Sequence, residues 1–389
     1  MRDVAILGVG QTRFGELWDR SFREIGIEAG LGALQEAHLT SRDLSALYLG
    51  NMASGAFIDQ EHIAPLILDY AGLAGHHIPA IRVEAGSASG AMALHQAYLA
   101  VASGLHDFVV VGGAEKMTDV PDTLAQAITS ATADQEWETV FGATLPALWA
   151  LMARRHMQDH GTRREDLARL SVLAHAHASK NPLAQFRNPI SVEAVLESTP
   201  VAEPLGVLDC APASDGAAAV VLGPLEGARR YTDVPIRIAA SEVACDTMAL
   251  QHRKDITTLE ATVVARQKAL KRSRREISEI PLVEVHDAYS ISGLMALEDL
   301  GFYPKGRAAA ALRDGEGAIG SRLTVNSSGG LKAQGQPFGA VGIAQVVEVV
   351  RQLRGQAAER QVSKATVGMT HNVGGTGATA VVHVLERAN

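Results

Sequence analysis

The 389-residue sequence predicts an α/β fold built from two similar halves. Two observations lead there. Short apolar runs alternate with longer stretches whose apolar residues recur at helical spacing, the pattern of βα units around a mostly parallel sheet. Turns of the first half are echoed by turns of the second, without the short period of a solenoid.

Residues 4–9 are continuously apolar and predict a buried strand. Residues 21–37 place Ile25, Ile27, Ala29, Leu31 and Leu34 in an apolar stripe, with Ser21 and Glu24 spaced as a capping box. Further strands are predicted at 46–52, 81–85, 108–112 and 217–222, and an Ala-rich helix at 89–103. The pattern then changes between 118 and 204, where helices are predicted at 148–160 and 164–180, followed by a polar stretch. An insertion of this length points to a lid or binding element, with an extra packing layer as the plainer alternative. The second half repeats the theme with strands at 236–240, 282–285 and 378–385, a helix at 258–271 and an amphipathic helix at 340–353. Glu84-Ala85-Gly86-Ser87 is echoed by the glycine-rich run before Ala340, and Val109 to Gly113 by Val367 to Thr370. The expected organisation is 1–117 with 205–230 as the first half, 118–204 as the insertion and 231–389 as the second half.

Composition narrows the function. With 47% hydrophobic and 20% charged residues the chain is globular. A net charge of −8 and no basic stripe argue against nucleic acid. Two cysteines, Cys210 and Cys245, give neither a disulfide framework nor metal-ligand spacing, which suits a reducing cytoplasm. The first residues run into a strand pattern rather than a signal peptide, and no apolar run approaches the roughly 20 residues of a membrane span. His175 and His177 stand two apart on a helical pattern, so they share no face as metal ligands and are expected at the surface. Arg272-Ser273-Arg274-Arg275 is expected to be a solvated helix end.

Three segments carry a resemblance. They are Arg82-Val83-Glu84-Ala85-Gly86-Ser87-Ala88-Ser89-Gly90, the run Gly329-Gly330-Leu331-Lys332-Ala333-Gln334-Gly335-Gln336-Pro337-Phe338-Gly339-Ala340, and His371-Asn372-Val373-Gly374-Gly375-Thr376-Gly377. Asp215-Gly216-Ala217-Ala218-Ala219 and Val285-His286-Asp287-Ala288-Tyr289 support them. Over nearly its whole length the sequence resembles the thiolase superfamily, above all the archaeal-type acetyl-CoA acetyltransferases and the sterol-carrier-type thiolases. The resemblance implies a duplicated five-layer α-β-α-β-α fold. It also implies a coenzyme A thioester as substrate with no further cofactor, a homodimer or tetramer, and a small zinc-ribbon/OB-fold partner protein.

In those families the position of Ser87 is the nucleophilic cysteine and that of Gln336 a histidine, while Ala288 stands where a cysteine is common. A thiol at a helix N-terminus is readily ionised, whereas an alcohol needs an explicit base. A glutamine amide can still donate to a carbonyl oxygen but holds no titratable proton near neutrality. The resemblance assigns His371 as a base able to take a proton α to a thioester carbonyl and keeps His286 in the site. It makes the backbone N–H groups of Ser87 and Val373 an oxyanion hole, and places Asn326, Gly329, Gly374 and Gly375 against the substrate. Three functions stay open. The reading leans toward an enzyme of the acyltransferase/thiolase type, and the first is non-covalent aldolase-type cleavage or proton transfer with His371 as base. The second is an acetyl-CoA acetyltransferase with Ser87 as a slow nucleophile, and the third a subunit that binds coenzyme A without turnover.

Overall fold

The computed structural model describes residues 1–388. In chain order its strands are β1 (Val4–Gln11), β2 (Ala46–Gly50), β3 (Ala80–Val83), β4 (Val109–Glu115), β5 (Pro200–Ala202), β6 (Leu205–Gly206), β7 (Gly216–Pro224), β8 (Ile236–Cys245), β9 (Leu282–Glu284), β10 (Thr324–Val325), β11 (Val367–Gly374) and β12 (Thr379–Arg387). Strands β5 and β6 pair separately, and the other ten form one sheet in the order β10-β9-β11-β12-β8-β1-β7-β4-β2-β3. Read from either end this is the same five-strand unit twice. The two copies meet where Ala5 pairs with Arg237 and Ile6 with Ile236.

The mostly parallel sheet expected from sequence is in fact mixed. Parallel pairing is confined to the outer three strands of each half, and the strands between them run antiparallel. The link from Gly374 to Thr379 is too short to hold a crossover helix, so β11 and β12 can only form a hairpin.

Two helices, Ser89–Ser103 and Val341–Arg354, fill the space between the half-sheets in one shared core cluster. Phe22–Glu36 covers the outer face of the first half, and its Ser21–Glu24 capping box is formed. Glu260–Ser273 and Ser290–Asp299 cover the outer face of the second. Five layers result. The central helices touch backbone to backbone at their N-terminal ends. A Cβ at Gly90 would strike the Gly339 carbonyl, and one at Gly342 the backbone of Ala91.

Val341–Arg354, expected to be amphipathic, is buried on nearly every side, including Gln345, Glu348 and Gln352. Those polar groups are spent internally. Arg360 pairs with Glu348 at 2.9 Å, and Ser327 bonds both Glu348 at 2.9 Å and Glu284 at 3.2 Å. Burial pushes the Glu284 carboxyl up to about 8, with the Glu348 charge adding to it, so one proton and one arginine neutralise the pair.

The insertion forms scaffold rather than a detached flap. Its helices Leu145–His160 and Arg164–Ala178 supply Leu148, Trp149, Met152, Leu167 and Leu170 to the largest core cluster. His175 and His177, expected at the surface, are each 4% exposed. The Nδ1 of His177 donates to the Asn326 carbonyl at 3.0 Å while Nε2 accepts from Ile319 N–H at 3.3 Å, so a structural role consumes the ring.

Arg360→Met should cost about 3–5 kcal/mol of stability by leaving the buried Glu348 uncompensated. Adding Glu348→Gln should restore most of that loss in urea denaturation.

Candidate active site

The Ser87 turn is fixed by its neighbours. Glu84 Oε1 accepts the Gly86 N–H at 2.5 Å, Ala85 N–H donates to Ser89 Oγ at 3.0 Å, and Ser89 Oγ donates to the Gly86 carbonyl at 2.6 Å. Gly86 has φ +59, a conformation that side chains disfavour. Ser87 follows, 3% exposed, two residues ahead of the Ser89–Ser103 helix. Its hydroxyl donates to the Val373 carbonyl at 2.7 Å, which joins the two residues assigned to the oxyanion hole. The proton therefore points at a peptide oxygen and not at a base. Gln336 is 7% exposed on the glycine-rich run, with its N–H donating to Ser214 Oγ at 2.9 Å.

His371 departs from its expected place. Along β11, Val367, Met369 and Val373 all join the outer core cluster. His371 shares their parity, and its Nε2 lies 2.9 Å from Thr262 Oγ1 of the outer Glu260–Ser273 helix. Asn372, one residue on, faces the central layer, where its Nδ2 donates to Gln345 Oε1 at 3.1 Å. Period-two alternation decides this, so the ring that the resemblance named as base is turned away from the central helices. His286 follows β9, the parallel neighbour of β11, and Asn372 is the β11 side chain beside it.

Electrostatics separates the groups further. Burial holds His286 down to about 3, with the nearby Asn372 side chain opposing it. Burial, with the His286 ring beside it, holds His371 down to about 3 as well. Asp287 is raised to about 6 by burial, although Leu331 N–H donates to its Oδ1 at 2.7 Å. Of eleven buried side-chain polar atoms without a partner among the described residues, four belong to residues just past β9 and on its neighbour β11: His286 Nδ1, Asp287 Oδ2, His371 Nδ1 and Asn372 Oδ1. Such atoms are rare in folded proteins, and their clustering marks a place built for something other than packing.

The expected substrate contacts divide. Asn326 spends its side chain on Val285, accepting its N–H at 2.6 Å and donating to its carbonyl at 3.3 Å, and Gly329 packs on Ala178. Gly374 and Gly375 instead line an apolar cavity of about 630 Å³ with Met52, Gly86, Ile128 and Met248, directly behind the Ser87 turn. An equally large cavity at the far end of the strands, among Arg229, Arg237, Arg275 and Arg387, holds none of the candidate residues.

Several contributors were not legible as such. Trp149, 1% exposed, donates its Nε1–H to the Gly375 carbonyl at 3.3 Å and stacks on Tyr289 with centroids 5.9 Å apart. Arg253 grips the same turn, donating to the Thr376 carbonyl at 2.8 Å and to its hydroxyl at 2.9 Å.

Two half-sheets around a buried helix pair, with catalytic-type turns from both halves meeting at Ser87 and Val373, define a class that comparison bears out. Residues 4–225 match the family described as thiolase, N-terminal domain, and residues 242–387 the family described as thiolase C-terminal domain-like. The chain belongs to the thiolase superfamily. It is 56% identical over 387 residues, all of both chains, to a protein named acetyl-CoA acetyltransferase from Methanothermobacter thermautotrophicus. It is 36% identical to the benzoylsuccinyl-CoA thiolase subunit BbsB of Thauera aromatica, across 96% of this chain and 95% of that one. Among solved structures it is similar to the Ltp2-ChsH2(DUF35) aldolase, with a TM-score of 0.85 and 28% identity over 99% of this chain and 98% of that chain.

The low-lying rings set a pH sense. Each is neutral when folded but takes up a proton near its ordinary value of 6.5 once unfolded, so its contribution to stability is complete above that pH and lost as pH falls toward about 3. Glu115 and Glu284 work in the opposite sense, their contributions lost as pH rises through about 7 and about 8. In histidine-labelled protein the His286 and His371 ring signals should stay fixed from pH 8 to 5; midpoints near the ordinary histidine value would contradict the burial described.

Proposed function

We propose that this chain binds acyl-CoA thioesters and works on the carbons α and β to the thioester carbonyl without an acyl-enzyme. The Ser87 hydroxyl carries the reading: it donates to a peptide carbonyl at 2.7 Å, and no base stands ready to remove its proton. The residue at the resemblance's histidine position is Gln336, which can steady an oxyanion but accept no proton near neutrality. In aldol-type cleavage a base takes the β-hydroxyl proton, the Cα–Cβ bond breaks, and its electron pair becomes the thioester enolate, which is then protonated at Cα. The N–H groups of Ser87 and Val373, with Gln336, would hold the enolate oxygen. His286, rather than His371, is the base this geometry favours, because it neighbours Asn372 on the side facing the central layer. The likeness to a solved aldolase supports the same reaction class, and the relatives named as acetyltransferases support the acyl-CoA substrate.

One observation favours a second reading, a subunit that binds coenzyme A without turnover. A ring held near 3 is a weak base at neutral pH, where catalysis is best served by a pKa near the working value. Under the enzymatic reading, bound thioester or a partner raises it.

A homodimer fits the sheet. Strand β3 ends it with one side unpaired, and Ile81 on that strand is 40% exposed. A small zinc-ribbon/OB-fold partner fits the apolar cluster of Trp137, Val140 and Phe141, exposed by 56%, 63% and 80%. Among the described residues no helix is long and apolar enough to cross a membrane.

Incubation with acyl-CoA thioesters in deuterated water should place deuterium at Cα and leave Ser87 unmodified in the mass spectrum. His286→Gln should slow that exchange about 100-fold or more, whereas a Ser87 ester formed at the turnover rate would end the non-covalent reading. Ile81→Lys should shift the chain toward monomer in light scattering, and an unchanged mass would place the dimer contact elsewhere.

A further inference from the structure

Four arginines line the cavity of about 630 Å³ at the far end of the strands, on a chain whose net charge is −8. Separate elements supply them. Arg229 follows β7 at the close of the first half, Arg237 lies at the start of β8, and Arg387 ends β12. Arg275, from the run expected at a solvated helix end, stands two residues beyond the helix Glu260–Ser273 and belongs to the same wall. One lining carboxylate, Glu386, holds two of the four. It is the register partner of Arg237 across β8 and β12, with Oε1 3.1 Å from Arg237 Nη1, and its Oε2 accepts from Arg275 Nη2 at 3.0 Å. Asp3 and Glu279, which do not line the cavity, pair with the same two arginines at 3.4 and 3.3 Å. Arg229 and Arg387 are exposed, and no carboxylate pairs with either among the described residues, so arginines outnumber acids four to three. One donor is left over: Arg237 Nε is buried and makes no hydrogen bond among the described residues. Such an N–H carries a desolvation cost that an added acceptor removes.

We propose that this cavity is an anion site for a phosphate-bearing small molecule, separate from the acyl-CoA site. Guanidinium groups on several elements suit a tetrahedral oxyanion, which offers acceptors on every side, better than a planar carboxylate. The volume falls in the range of small-molecule sites and is roomy enough for a nucleotide. Separation from the Ser87 turn follows from strand length. Thr366 lines this cavity and Gly374 lines the one behind Ser87, and the eight steps of β11 between them, at about 3.3 Å each, span about 26 Å. Arg229 comes from the first half and Arg237, Arg275 and Arg387 from the second, so a ligand held by all of them ties the halves together. Its binding is therefore expected to stabilise the fold, whatever reaction the other end of the strands performs.

The test uses full-length protein with pyrophosphate and ADP as probes, each compared with sodium chloride at equal ionic strength. Either probe should raise the midpoint of thermal unfolding, and calorimetric titration should give one site per chain. Tighter binding of ADP would identify a nucleotide as the source of the phosphate, and tighter binding of pyrophosphate an inorganic one. Arg229→Gln removes an exposed side chain with no ion pair to lose, so it should keep the unliganded midpoint and weaken binding about 10-fold or more. Arg237→Gln should weaken it at least as much; should that variant not fold, Arg229→Gln decides alone. S-acetylpantetheine, a thioester without phosphates, should leave the pyrophosphate affinity unchanged. Displacement by that thioester, or an affinity unchanged in Arg229→Gln, would put the anion elsewhere on the chain and overturn the proposal. Stabilisation matched by chloride would overturn it as well, because screening of surface charge then accounts for the whole effect.

Discussion

The close approach of the two central helices is the constraint on which this molecule depends. Gly90 against Gly339 and Gly342 against Ala91 bring the helix N-termini together with no side chain between them. Everything chemical is attached there. Ser87 sits just ahead of one helix and Gln336 just ahead of the other, so the packing of two backbones fixes the separation of two active-site turns from distant sequence. Any Cβ at these glycines would wedge the half-sheets apart and move the turns with them. Duplication supplies the second requirement: the same five-strand unit on both sides gives each central helix a matching sheet face.

Within that frame polar groups are buried on a scale that only pairing makes tolerable. Glu115 accepts from Asn51, Met52, Ala53 and Gly339, so a single carboxyl stitches the end of β4 to the turn before the second central helix. Burial nevertheless raises it to about 7. Glu284 and Glu348 share Ser327 and lean on Arg360. Around His286 the same economy is absent, and atoms are left without partners. The contrast between a saturated network under the Asn326–Gly330 loop and a deficient one that begins two residues beyond Glu284 is what distinguishes structural burial from a prepared site.

Much of this could be read from sequence, for identifiable reasons. Capping at Ser21 is local, and so are the apolar runs of β1, β7 and β12, so nearest-neighbour chemistry suffices. The glycine-rich turns declare themselves because positive φ and close approach admit little else. The parallel reading failed because strand direction depends on loop length and on partners more than a hundred residues away. His175 and His177 were misjudged because their acceptors and donors, Asn188, Asn326 and Ile319, lie outside the helix that carries them. His371 was legible in principle: Val367, Met369, His371 and Val373 alternate, and that parity assigns the ring to the outer face. Gln345 was hidden by its helix. A glutamine in an apolar helical pattern looks like a solvent-facing position until both of its faces prove to be covered.

Trp149 has a practical consequence. The chain has three tryptophans, and Trp18 and Trp137 are 71% and 56% exposed while Trp149 is 1% exposed. Its indole is bonded to Gly375 and stacked on Tyr289, so its emission should lie to the blue of the other two and soluble quenchers should reach them and not it. The indole thus ties the Gly375 turn to the Tyr289 segment, and iodide should silence the two exposed tryptophans while leaving this one as a reporter on that contact.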